Sequence, residues 1–97
     1  MAQIMALCSK YKVKELYAFG SILTDRFNES SDVDMVVIFD RDLMSPGEYA
    51  DNYFGLKFAL EDLFHRDVDL VEYEAIRNPY FKEEVDQTKR AIYGKAA

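Results

Sequence analysis

The chain reads as an α/β domain, a small mixed β-sheet packed with helices, and three observations predict it. Short β-branched, apolar runs at 13–20, 33–39 and 68–73 alternate with stretches whose apolar residues recur at helical spacing. A long amphipathic stretch lies between the second and third runs, long enough for a parallel crossover. Only about ten residues separate Ser21 from Asp32, too few for such a crossover, so the first two runs are expected to pair antiparallel.

Taken in order, Ile4, Leu7, Cys8 and Tyr11 share one helical face and predict a short first helix. "VKELYAFGS" follows as a strand ending at Gly20, and "SILTDRF" has room for two helical turns opening at Ser21. "VDMVVIF" is the strongest strand signal, bounded by Ser30-Ser31 and by Asp40-Arg41-Asp42. "SPGE" at 45–48 offers an N-cap serine, a proline at the first helical position and a glutamate three residues after the cap. A long helix is therefore expected from there to Phe64, with Tyr49, Tyr53, Leu56, Leu60 and Leu63 on its apolar face. "VDLVEY" makes the third strand. Asn78-Pro79 caps a last helix whose stripe of Phe81, Val85, Thr88 and Ile92 ends before Gly94.

One domain spanning residues 1–97 suits this length, with a single modest core. The composition, 49% hydrophobic and 31% charged, is that of a folded globular chain. A net charge of −6 and the lack of a basic patch argue against direct DNA binding. Lys10, Lys12 and Lys14 read as a solvated edge. The single cysteine, Cys8, excludes an intrachain disulfide framework and fits a reducing cytoplasm, as a small apolar residue on a helix. Neither a signal peptide nor a membrane span is legible, so a cytoplasmic protein is expected.

The connections fix which strand ends meet. The end of strand one lies beside the start of the antiparallel strand two, and a right-handed crossover brings the start of strand three to the same corner. Asp32 and Asp34 alternate with Val33, so in an extended chain they share a face, with α-carbons roughly 6.5 Å apart. Asp69, flanked by apolar Val68 and Leu70, projects from the neighbouring strand. Asp67 has the same parity and is its rival, less firmly anchored in the sheet. Three carboxylates at one corner repel unless a cation compensates, and Mg²⁺, which takes oxygen ligands and leaves positions for phosphates, is the natural one. Two such ions about 3.5–4 Å apart can stabilise the attacking and leaving oxygens of a phosphoryl-type displacement. Gly20-Ser21 supplies a tight strand-to-helix turn, with exposed N–H groups and a hydroxyl for phosphate oxygens.

Gly20-Ser21, the pair Asp32 and Asp34 in "SDVDMVV", the third aspartate in "VDLV" and the closing "AIY" together resemble the nucleotidyltransferase superfamily of DNA polymerase beta, in particular its minimal single-domain bacterial members. That resemblance spans about Val13 to Tyr93. It implies a polymerase-beta-like fold, metal on Asp32, Asp34 and Asp69, and a nucleoside triphosphate gripped around Gly20 and Ser21. It also implies attack by an acceptor hydroxyl on the α-phosphorus with loss of pyrophosphate, and Asp69 placed to help deprotonate the acceptor. Many minimal members are similar to antitoxins paired with a helical HEPN-type toxin, and some transfer AMP from ATP to a tyrosine of that toxin. One segment departs from the pattern: Thr24 and Asp25 stand where relatives carry arginine and glycine, and Arg26, displaced by two positions, either reaches the phosphates or is a surface charge.

Among other residues, His65, without a partner at metal spacing, reads as a helix C-terminal or simply exposed residue and not a ligand, and Lys57 as solvated. Phe54 and Phe58 widen the apolar face of the long helix, either as core or as a partner surface. The expected function is Mg²⁺-dependent transfer of AMP from ATP to a protein hydroxyl. The alternative is a catalytically weak antitoxin that neutralises its partner by binding. Transfer to a small molecule such as an antibiotic ranks third, because such enzymes usually carry a further substrate domain. Self-association is left open.

Overall fold

A computed structural model describes residues 2–19 and 33–94. It contains α1 (Ala2–Lys10), β1 (Val13–Phe19), β2 (Val33–Phe39), α2 (Tyr49–Phe64), β3 (Val68–Glu72), α3 (Pro79–Thr88) and β4 (Arg90–Tyr93). Single 3-10 turns follow β2 at Arg41–Leu43 and β3 at Tyr73–Ala75.

The strands form one mixed sheet in the order β3-β2-β1-β4. β1 pairs antiparallel with β2, and β2 pairs parallel with β3 across the α2 crossover, as the connection lengths require. The central strand β2 is apolar on both faces because both are covered. Val33, Met35, Val37 and Phe39 meet α1 and α2 through Ile4, Cys8, Leu56 and Leu60. On the other face Val36 packs with Tyr17, Phe19 and Val85 of α3. Cys8 is fully buried in the first cluster, and burial pushes its thiol up to about 12, so it is an inert core residue.

Local chemistry explains the helix ends. Asn78 caps α3 by accepting from the backbone N–H groups of Tyr80 and Phe81, with Pro79 at the first helical position. α2 ends on His65 in the left-handed region, φ 57°, the C-terminal role the sequence assigns it. Its start differs from expectation: regular helix begins at Tyr49, three residues after Pro46. Half of the expected capping box is present, since Glu48 accepts from the Ser45 N–H at 3.1 Å. That contact belongs to a preceding turn closed by Glu48 N–H to Ser45 C=O, while the other carboxylate oxygen binds Lys12 at 2.6 Å.

One further expectation is corrected, and one open alternative is decided. The last helix stops at Thr88, and Arg90–Tyr93 is a fourth strand paired with β1, so Ile92 belongs to the sheet. Val85 and Ile92 fit a helical period, but four residues are too few to announce a strand by alternation. The open edge of β1 decides the matter by offering hydrogen-bond partners. Phe54 and Phe58 are not core: they stack on each other at 6.1 Å on the outer side of α2, 51% and 59% exposed.

Candidate active site

Asp34 is the second residue of β2, and its parity places it on the face of Val36 and Ile38, which α3 covers further along the strand. Across one side it is in register with Phe19 of β1, and across the other with Asp69 of β3. Because neighbouring strands lie about 4.8 Å apart, the two aspartates stand side by side on one face. Asp34 is half-buried and Asp69 exposed, so the pair opens to solvent where β1 ends and β2 and β3 begin.

The surroundings fix this placement. Val68 and Leu70, on either side of Asp69, are 2% and 3% exposed and point into the core on the opposite face. Asp67 precedes the strand, and its carbonyl accepts from the Val33 N–H at 2.9 Å, tying the start of β3 to β2. Of the two rivals, Asp69 is therefore the one carried by the sheet beside Asp34. On the β1 side Phe19 is buried and meets Phe81 of α3 edge to face, with ring centres 5.9 Å apart. That aromatic contact closes the apolar floor beside the carboxylates.

Asp32, Gly20, Ser21 and Arg26, together with Thr24 and Asp25 and the short helix expected at Ser21, lie outside the described residues. Among the described residues no group of three or more metal-ligating side chains occurs. A third protein ligand beside Asp34 and Asp69 would therefore come from outside them. The donor set present, carboxylate oxygens open to solvent, suits a hard divalent cation, and one between adjacent carboxylates would offset their mutual repulsion.

Three side chains on α2, at spacings of four, were not singled out for the site by sequence reasoning. Tyr53 donates its hydroxyl to the Leu70 carbonyl at 2.5 Å, and Glu61 accepts from the Val68 N–H at 3.0 Å. Lys57, expected to be solvated, pairs with Glu61 at 2.8 Å. The four-residue spacing of polar groups along a helix bordering the sheet was the available signal. Burial chiefly raises the pKa of the Tyr53 hydroxyl; Lys57 opposes this, and the charge of Asp69 adds to it. A shallow depression of about 150 Å³ at the far end of β2, lined by Lys14, Asp40, Arg41, Asp42 and Glu74 among others, includes neither Asp34 nor Asp69.

The mixed sheet thus brings two strand-borne carboxylates, Asp34 and Asp69, to one corner. The chain belongs to the nucleotidyltransferase domain family, whose model matches residues 1–92. It is 38% identical over 81 residues to a Methanocaldococcus jannaschii protein named as a protein adenylyltransferase, covering 84% of this chain and 78% of that one. The fold matches the solved structure of a minimal nucleotidyltransferase with a TM-score of 0.72 and 28% identity, over 95% of this chain and 86% of that chain. It also matches a toxin–antitoxin structure with AMP-PNP, at TM-score 0.72 and 22% identity, over 97% and 73% of the two chains. A third match, at TM-score 0.63 and 22% identity over 97% and 69%, is to a complex of a tri-AMPylated Shewanella oneidensis HEPN toxin with its MNT antitoxin. No helix among the described residues is long and apolar enough to cross a membrane.

Proposed function

We propose that the protein transfers AMP from ATP to an acceptor hydroxyl, with Mg²⁺ as cofactor and a tyrosine of a helical HEPN-type toxin as the acceptor. The observation that carries this reading is the register pairing of Asp34 with Asp69 at the open end of adjacent parallel strands. The naming of a 38%-identical relative as a protein adenylyltransferase supports a protein acceptor. Likeness to toxin–antitoxin structures supports the type of partner.

In this mechanism Asp32, Asp34 and Asp69 would hold the metal, and Gly20, Ser21 and Arg26 would bind the triphosphate. A bound divalent cation supplies positive charge against the α-phosphate and the departing pyrophosphate. The acceptor oxygen attacks the α-phosphorus, the bond from that phosphorus to the bridging oxygen of the β-phosphate breaks, and pyrophosphate leaves. Asp69 accepts the hydroxyl proton. The rigid sheet contributes orientation, because Asp34 and Asp69 sit on strands and not on loops.

Incubation with labelled ATP, Mg²⁺ and the product of the adjacent gene tests the reading. Label should pass to that protein and be lost with Asp34→Ala; transfer that survives this substitution overturns the mechanism. The exposed Phe54–Phe58 pair favours a second reading, in which the chain neutralises its partner by binding alone. Under it Asp34→Ala leaves neutralisation intact.

A further inference from the structure

Among the described residues β3 is an edge strand, paired on one side with β2. Backbone groups on the outer side of such a strand have no sheet partner, and edges fray or twist more readily than central strands. Here that would be costly, because Asp69 sits on the edge and must stay level with Asp34. Two outward groups, one just before and one just after Asp69, are held by α2. The Val68 N–H bonds to the Glu61 carboxylate and the Leu70 carbonyl to the Tyr53 hydroxyl. Tyr53, Lys57 and Glu61 are four residues apart and form one stripe of the helix along the strand. Lys57 steadies Glu61 from within that stripe.

We infer that Tyr53 and Glu61 are positioning residues for the carboxylate site, clamping the backbone of β3 on both sides of Asp69 so that its side chain stays beside Asp34. The inference rests on the metal role proposed for Asp69. It does not depend on the Lys57–Glu61 ion pair as such, since partly exposed pairs one helical turn apart contribute little by themselves. What matters is the oxygen each side chain presents to the backbone. Glu61→Gln keeps an oxygen for the Val68 N–H, whereas Glu61→Ala removes it. Tyr53→Phe keeps the ring on the core and removes only the hydroxyl.

Two measurements on the full chain decide the matter. The first is Mn²⁺ binding, with the metal alone as probe, by electron paramagnetic resonance. Tyr53→Phe and Glu61→Ala should each weaken binding by about tenfold, the scale on which groups that orient metal ligands act. Glu61→Gln should stay near wild type, and in an Asp69→Asn background the Tyr53→Phe penalty should vanish. Wild-type affinity in both Tyr53→Phe and Glu61→Ala, or a penalty that persists without Asp69, overturns the inference. The second is amide hydrogen exchange of the metal-free protein, which should speed up at residues 69–71 in both variants and stay unchanged in β1. If Asp69→Asn itself binds Mn²⁺ like wild type, the metal role of Asp69 falls, and exchange alone decides the clamp: faster exchange in β3 supports it and unchanged exchange overturns it.

Discussion

Replacing Glu72 with glutamine should stabilise the protein at neutral pH and leave it unchanged in acid. Glu72 ends β3 on the core side, 7% exposed, and its Oε1 has no hydrogen-bond partner among the described residues. Desolvation is the largest influence and holds its carboxyl above the ordinary glutamate range. The Glu74 charge adds to this, while the Arg41 guanidinium and the N–H groups of Glu74 and Ala75 offset part of it. A raised folded-state pKa means that the native protein binds the proton more tightly than the unfolded chain. Stability from this group is then fully present below the unfolded value and is lost as pH rises through the folded one.

Leaving a buried acceptor unsatisfied costs about 1–3 kcal/mol. Glutamine removes the charge but puts an amide nitrogen where one oxygen was, so part of that cost remains and a gain of about 1–2 kcal/mol is expected near pH 8. In a chain of this size each kcal/mol moves Tm by about 4–8 °C. Urea unfolding of both proteins, followed by far-UV circular dichroism, gives the difference at about pH 4 and pH 8. The comparison isolates Glu72 from other carboxylates, which titrate in both proteins. A Glu72→Gln variant less stable than wild type at the higher pH, or a difference independent of pH, would refute the reasoning.

Other positions test the fold that carries the site. Gly94, just after β4, has φ +112°, and a Cβ there would lie 2.6 Å from the Lys14 carbonyl oxygen, so Gly94→Ala should destabilise by more than about 1 kcal/mol in thermal melts. Leu60 is fully buried between α2 and the sheet, and Leu60→Ala should cost about 2–5 kcal/mol by urea titration. A loss below about 1 kcal/mol would mean that the helix repacks over the vacated space.

The sequence by itself determined the order of the described strands and longer helices through β3, the antiparallel and parallel pairings, and the face on which Asp34 and Asp69 stand. These follow from short-range rules: alternation sets the face, connection length sets strand direction, and flanking Val68 and Leu70 anchor the third strand. The Asn78-Pro79 cap was equally legible, because a cap is made by residues adjacent in the chain. Tertiary structure alone decided that Arg90–Tyr93 is a strand, since its partner edge on β1 is about seventy residues away and leaves no mark on a four-residue segment. It decided too that Glu48 turns toward Lys12 before α2 begins, and that Phe54 and Phe58 face outward. The bonds from Tyr53 and Glu61 to the backbone flanking Asp69 belong to the same class. Such contacts join groups distant in the chain, and their geometry exists only once helix and sheet have packed.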